Sequence, residues 1–307
     1  MILYRYLDYY GGLKTLESSS LKATRPMDYN DPFEYLVASD VDRRTYRKEF
    51  LSEISTTDMD ILVTQQLSRE GINKATSKER RQAELTVKQR MRKGFEVEFQ
   101  RGIAERTHHR LELLSKNMAV ICFSANPKNN LMWGHYCNGH RGVILEFDTK
   151  VGFQVEPTII EIKYRPKPPS SNFLNGNFKH VTKAMQLDLQ RKILGYKSDI
   201  WKYEAEHRIQ FNMSVLQSAS DNEGEEILTF EIPKAAIKSI TFGCRLSRKK
   251  IDRLCQILDQ EGYEHVSQKY ALPSIREYSL EYVDREAWLV RQSERERIRE
   301  EYIREPL

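Results

Sequence analysis

The sequence predicts an α+β fold: a mixed, mostly antiparallel sheet core, a large helical insertion and a charged C-terminal helix. Three observations carry this. Apolar runs of strand length lie on both sides of a long polar stretch, Ile2 to Tyr6 before it and Met118 to Ser124, Val143 to Asp148 and Ile237 to Gly243 after it. Between them, over residues 41–117, apolar side chains recur at four-residue steps, as on one helix face. Regular βαβ alternation, a G-x-G-x-x-G after a strand and a Walker loop are all missing, so a Rossmann or P-loop enzyme is not expected.

Taken in order, Ile2 to Tyr6 reads as a short strand and Gly11-Gly12 as a break. Leu13 to Leu16 makes a turn or two of helix, and Leu21 to Thr24 a second strand. Arg25 to Glu34 is a polar loop fixed by Pro26 and Pro32, where Asp31 is expected to cap a helix that has Pro32 at its first position. In the helical stretch, Tyr46, Phe50 and Ile54 repeat every four residues. Asp58 to Glu70 is amphipathic and stopped by Gly71. Val87, Met91, Phe95, Phe99 and Ile103 share one helix face.

From Met118 the period changes. Met118 to Ser124 is apolar enough for a central strand, and Val143 to Asp148 and Thr158 to Tyr164 follow as strands. A loop rich in Pro, Ser and Asn covers Pro166 to Asn177, and a helix bearing Met185, Leu189 and Ile193 leads to Gly195. Trp201 to Phe211 alternates as a strand, and Glu226 to Ile232 and Ile237 to Gly243 add two more. Ser247 is expected to cap a helix carrying Ile251, Leu254, Ile257 and Leu258, which Gly262 ends. Glu281 to Arg304 is dense in Arg and Glu, with Arg297–Glu301 and Glu300–Arg304 four apart, the pattern of a solvated helix. The division expected is 1–40 for the N-terminal part of the sheet domain, 41–117 for the insertion or cap, 118–275 for the main sheet domain and 276–307 for the charged helix.

Composition narrows the function classes. At 307 residues with 39% hydrophobic and 30% charged side chains, the chain is foldable and not disordered. A net charge of +5 would help a polyanion approach without requiring one. No apolar run approaches the ~20 residues that span a bilayer. The opening residues carry no signal-peptide pattern, so a cytoplasmic location without membrane is expected. Cys122, Cys137, Cys244 and Cys255 contain no C-x-x-C pair and are expected as buried thiols. His135 and His140 lack a fixed partner ligand, so hydrogen bonding and not metal binding is expected of them.

Chemistry concentrates in three segments. Along Trp201 to Phe211, read as a strand, Glu204, Glu206, Arg208 and Gln210 share one face, while Tyr203, Ala205, His207, Ile209 and Phe211 share the other. Two carboxylates and an arginine in one row, unmixed with lysine and preceded by Trp and Tyr, suit an aromatic or ribosyl ligand. An ordinary solvent-facing charge ladder is the alternative. The second segment is Cys122-Phe123-Ser124 followed by Met132-Trp133-Gly134-His135-Tyr136, a strand end and a ring-bearing loop typical of pocket walls. The third is Asn30-Asp31-Pro32-Phe33-Glu34, a turn by itself.

Together these segments resemble the bacterial and phage family called domain of unknown function 2971. The matching motifs are Leu3 to Tyr6, Asn30 to Glu34, Cys122 to Ser124, Met132 to Tyr136, Gly142 to Asp148, Trp201 to Arg208 and the strand Ile240 to Gly243. Tyr29 stands where the family usually has Phe. A more distant resemblance is to ADP-ribosyltransferases and their NAD-cleaving relatives, through the order Leu3-Tyr4-Arg5-Tyr6, then Ser124, then Glu204-Ala205-Glu206. That resemblance implies NAD as substrate, with Glu206 stabilising positive charge on the ribose and Glu204 orienting the acceptor or a water. It places Tyr136 or Trp133 on the nicotinamide, Arg5 on phosphate, and Tyr4, Asn30, Ser124, His135 and Arg208 around the ligand, with a protein or nucleic-acid acceptor. A role in bacterial defence, as a toxin or effector, is implied by the family alone.

Two other classes remain open at this stage. One is a nucleic-acid binding protein or metal-dependent nuclease using Glu204, Glu206, Asp148 or Asp31 on a metal and basic residues of 77–110 on phosphates. The other is a non-catalytic interaction module, with the Val87-to-Ile103 stripe and the charged C-terminal helix as partner surfaces and a homo-oligomer formed through the helical insertion.

Overall fold

The opening strand β1 (Ile2–Leu7) is followed by α1 (Tyr9–Ser18), capped by Asp8, whose Oδ1 accepts from the Gly11 amide at 2.6 Å. These come from a computed structural model that describes residues 1–35, 38–39, 56–153, 158–171, 191–220 and 224–304. Gly11-Gly12 does not break the helix as expected but lies inside it. A Cβ on Gly12 would sit 2.4 Å from Val143 Cγ2, so the missing side chain lets α1 lie close on the sheet. β2 (Ser20–Ala23) comes next. The helix expected to start at Asp31 is instead a turn over residues 32–35: Asp31 Oδ1 takes the Phe33 amide as a cap would, but Tyr35 leaves the helical region at φ +61°.

β3 (Ala38–Ser39), α2 (Thr56–Arg69) and α3 (Ser77–Asn117) follow, and Gly71, at φ +75°, takes up the left-handed turn after α2. Then come β4 (Met118–Ser124), α4 (Asn130–His135), β5 (Val143–Asp148) and α5 (Thr149–Gly152). The single strand expected over Thr158 to Tyr164 divides at buried Ile162 into β6 (Ile159–Glu161) and β7 (Lys163–Arg165), which join different sheets. After β8 (Ser170–Ser171) and β9 (Tyr196–Ser198), a 3₁₀ turn spans Asp199–Glu204 and β10 runs Glu206–Asn212. The chain finishes through β11 (Gln217–Ser220), β12 (Glu226–Glu231), β13 (Ile237–Phe242), α6 (Arg248–Leu258), β14 (Ser267–Pro273), β15 (Leu280–Val283) and α7 (Arg285–Arg304). Ser247 holds the N-cap position of α6, but its side chain makes no capping bond, and the helix stops at Leu258, before Gly262. The first residues of the expected C-terminal helix belong to β15, whose pairing with β14 leaves α7 to start at Arg285.

The chain divides into two compact units: Met1–Glu34, Leu114–Lys167 and Leu194–Leu307 in one, Tyr35–Leu113 and Pro168–Ile193 in the other. The helical insertion therefore shares its unit with part of the segment before β9, and the C-terminal helix belongs with the sheet. In the insertion unit, Val63 and Leu67 of α2 pack with Ala83 and Val87 of α3, so the apolar stripe begins as an internal contact. Phe95 of the same stripe is also buried. Tyr46, Phe50, Ile54, Met185 and Leu189 lie outside the described residues, as do the side chains of Phe99, Ile103, Glu300, Glu301 and Arg304.

The first unit is built on an eight-stranded sheet in the order β15-β14-β13-β5-β1-β4-β10-β6. Every pairing is antiparallel except β13 with β14, so the sheet is mixed and mostly antiparallel. Strand alternation gives its faces different characters. Leu3, Ile121, Phe123, Leu145, Phe147, Ile209 and Phe211 form the apolar face, covered by Leu16 of α1, by Ile251, Leu254, Ile257 and Leu258 of α6, and by Leu21, Ala23 and Leu228 of the small β11-β12-β2 sheet. The opposite face carries Tyr4, Ser124, Glu206, Arg208, Glu146 and Ser239, and the chemistry lies there. No helix among the described residues is long and apolar enough to cross a membrane.

Candidate functional site

β1 and β4 are paired at one position only, Tyr4 opposite Ser124, while Val120 further along β4 bridges to Thr24 instead. Where the two strands part, a cavity of about 390 Å³ opens. Tyr4, Arg5 and Tyr6 of β1 line it, with Cys122 and Ser124 of β4, Tyr29 and Asn30 of the N-terminal loop, Tyr136 after α4, and Lys197, Glu204 and Glu206.

The two glutamates reach this wall by different routes. Glu204 ends the 3₁₀ turn, Ala205 takes a left-handed conformation at φ +45°, and only Glu206 begins the strand. The expected continuous strand thus fails at Ala205, yet both carboxylates still face the cavity. The Ser124 hydroxyl donates to the Glu204 carbonyl at 2.6 Å and the Ala125 amide to the Ala205 carbonyl at 2.9 Å, so the end of β4 fastens the turn. From Glu206 onward the alternation holds: Ile209 and Phe211 enter the apolar core, while Glu206 and Arg208 point to the other face, both buried.

Around these residues is a buried charge network. Lys197 Nζ lies 2.7 Å from Glu204 Oε2, 3.1 Å from Glu206 Oε2 and 3.4 Å from Glu34 Oε2. Arg208 grips Glu206 with Nε at 2.7 Å and Nη2 at 3.0 Å, bonds Glu34 through Nη2, and donates from Nη1 to the Leu194 carbonyl at 3.2 Å. The Lys197 ammonium therefore occupies the point on which the three carboxylates converge.

Three carboxylates against two cations leave one negative charge in excess in this network. Burial, with Glu206 adding to it against the pull of Lys197, raises the Glu204 carboxyl above the usual range. The Tyr136 hydroxyl donates to Glu204 Oε1 at 2.5 Å, and burial followed by the Glu204 charge pushes that phenol up. For Glu206, burial works upward but Arg208 and Lys197 together outweigh it and hold the carboxyl at about 2. Two adjacent carboxyls pushed apart in this way are the arrangement of a base beside a permanently ionised group. Lys197 is lowered by burial, but Glu206, Glu34 and Glu204 raise it further, so it stays charged.

Arg5 differs from the buried cations Lys197 and Arg208: it is half-buried. Its Nη2 donates to the Lys22 carbonyl at 2.5 Å, while Nη1 is buried with no partner and no carboxylate pairs with it among the described residues. Desolvation brings the guanidinium down to about 10. A partly desolvated cation without a counterion is costly, and an anionic group entering the cavity would remove that cost. Arg5→Met is accordingly expected to leave the thermal midpoint unchanged or higher while affinity for an anionic ligand, measured by calorimetry, falls ~10–100-fold, the loss of a hydrogen bond to a charged group.

The remaining expected site residues separate into two groups. Tyr4, Asn30, Ser124 and Tyr136 line the cavity with Arg5 and the two glutamates. Trp133, His135 and Arg208 do not. Trp133 is fully buried, its Nε1 donating to the Tyr282 hydroxyl at 2.9 Å and its ring set between Tyr6 and His140, so it has no free face for a nicotinamide. His135 is exposed and stacks on Tyr203 at 6.0 Å. Arg208 holds Glu206 and Glu34 in place from below. Lys197, Glu34 and Tyr164, whose hydroxyl takes the Glu206 amide at 2.7 Å, were not among the expected residues. A lysine inside the unremarkable three-residue strand Tyr196–Ser198 carries no sequence signal, whereas the N-D-P-F-E turn did mark the neighbourhood of Glu34.

An α+β sheet parted at one strand pair, with buried carboxylates beside the opening, makes this cavity the candidate ligand site. Residues 132–209, which contain Tyr136, Lys197, Glu204, Glu206 and Arg208, match the family described as Protein of unknown function (DUF2971). No curated protein and no solved structure matches the chain.

Proposed function

We propose that the cavity cleaves the N-glycosidic bond between nicotinamide and ribose in NAD or a related nucleotide, passing the ADP-ribosyl group to water or to another acceptor. The observation that carries this is the unequally held carboxylate pair on the cavity wall: Glu206 gripped by two nitrogens of Arg208, and Glu204 bonded by Lys197 and the Tyr136 hydroxyl. As the C–N bond breaks, its electrons leave with neutral nicotinamide and positive charge grows on the ribose. An ionised carboxylate fixed beforehand beside the ribose stabilises that charge more than it stabilises the ground state. Glu204, the more basic carboxylate of the two, accepts the proton of the attacking water or acceptor. Tyr136 orients Glu204 and offers its ring to the nicotinamide. Arg5 takes phosphate. The volume, near the lower end of small-molecule sites, suits the nicotinamide-ribosyl half of the dinucleotide. The order of Arg5, Ser124 and Glu206 along the chain, which resembles that of ADP-ribosyltransferases, agrees with this.

Purified protein incubated with NAD is expected to release free nicotinamide, measurable by chromatography. Tyr136→Phe keeps the ring and deletes the bond to Glu204, so release should slow ~10–100-fold with little change in melting. Release at the wild-type rate by Tyr136→Phe would remove Glu204 from the mechanism, and none by the wild type would remove the mechanism itself.

A further inference from the structure

The polar face of the sheet continues past the cavity in one straight row. Glu206 is directly opposite Ser124, Ser124 opposite Tyr4, Tyr4 opposite Glu146, and Glu146 opposite Ser239. Residues directly opposite in adjacent strands share a face, so the five side chains form a line across β10, β4, β1, β5 and β13, about 19 Å long at ~4.8 Å per strand. Its first three members line the cavity. At its far end Glu146 Oε2 accepts from Ser239 Oγ at 2.7 Å and lies 3.1 Å from Lys269 Nζ of β14. Both contacts fall on the same carboxylate oxygen, which leaves Oε1 without a partner among the described residues. The Tyr4 hydroxyl, midway along the row, likewise bonds none of them. Lys269 is partly exposed, and Glu146 less so.

We propose that Glu146, Ser239 and Lys269 form a second subsite that takes the distal nucleoside of a dinucleotide, its ribose diol on Glu146 Oε1, with Ser239 and Lys269 fixing the carboxylate through Oε2. This rests on reading the cavity as the place of the nicotinamide-ribosyl half. The span fits an extended dinucleotide that starts at Glu206 and crosses Tyr4. Its chemistry fits as well. A carboxylate fixed by two donors on one oxygen accepts the hydroxyls of a diol on the other, and the half-exposed Lys269 ammonium, two strands from Glu146, keeps that carboxylate ionised without the full cost of burial.

Calorimetric titration of the full chain with NAD and with nicotinamide mononucleotide tests this. Glu146→Gln and Lys269→Met sit on the partly exposed rim, so folding should survive. Each is expected to weaken NAD ~10-fold or more while leaving mononucleotide affinity within about twofold. Unchanged NAD affinity in both variants, or equal losses for the two ligands, would overturn the subsite and spare the cavity assignment. Mononucleotide binding by the wild type with NAD no tighter would do the same. Failure of the wild type to bind either ligand would overturn both assignments together.

Discussion

Arg208→Met is expected to lower the stability of the sheet unit by about 3–5 kcal/mol, the usual cost of breaking a buried ion pair from one side. Arg208 has no exposed surface, and it is the group that neutralises Glu206 from two nitrogens while reaching Glu34. Methionine fills much of the volume, so lost packing is the smaller term. The larger one is that three buried carboxylates would face a single Lys197 ammonium. They would have to take up protons to stay buried, and the protein would melt about 10 °C lower or more. The sign of the pH dependence follows. Glu206 is held at about 2, below its ordinary range, so the stability it contributes is complete above that range and is lost as pH falls toward about 2. In Arg208→Met this acid limb should shift to higher pH. Arg5→Met is the contrast: it deletes a half-buried guanidinium with no carboxylate paired to it among the described residues, and no such destabilisation is expected.

Glu206→Gln is expected to cut nicotinamide release by ~10²–10³-fold, the range for removing one fixed electrostatic contact from a charge-developing transition state. Glutamine keeps the shape and can still accept from Arg208 or Lys197, but it carries no negative charge to oppose the ribosyl cation. Some stability goes with it, because Arg208 loses a charged partner held from two nitrogens. Rates should therefore be compared at a temperature where the melting curves show both proteins folded. Glu204→Gln removes the proton acceptor and not the fixed charge. Its loss should be larger with water as acceptor than with a stronger nucleophile.

Much of this could be read in the sequence, and the parts that could not share physical causes. The strands of the large sheet were legible because β4, β5 and β13 are apolar runs buried on at least one face. The helices of the insertion were legible from Val87 and Phe95 at helical spacing. The double glycine at 11–12 looked like a break because propensity says nothing of the close approach to Val143 that makes Gly12 useful inside a helix. Glu204 and Glu206 were placed on one strand face by a period-two count. They share the cavity instead through a left-handed residue at 205, which the side-chain pattern does not encode. Trp133 looked like a ligand platform because a tryptophan in a polar loop is conspicuous, but its Nε1 found Tyr282, 149 residues away. Lys197 and Glu34 were the harder omissions. Each is an ordinary charged residue locally and becomes part of the site only when distant segments bring opposite charges together.

The most direct measurement is the amount of nicotinamide released from NAD per molecule of folded protein, by the wild type and by Glu206→Gln side by side. Steady release by the wild type and a loss of two to three orders of magnitude in the variant is the predicted result. Equal release by the two proteins, or none by either while both are folded, would contradict the assignment of the carboxylates beside Lys197 as the catalytic pair.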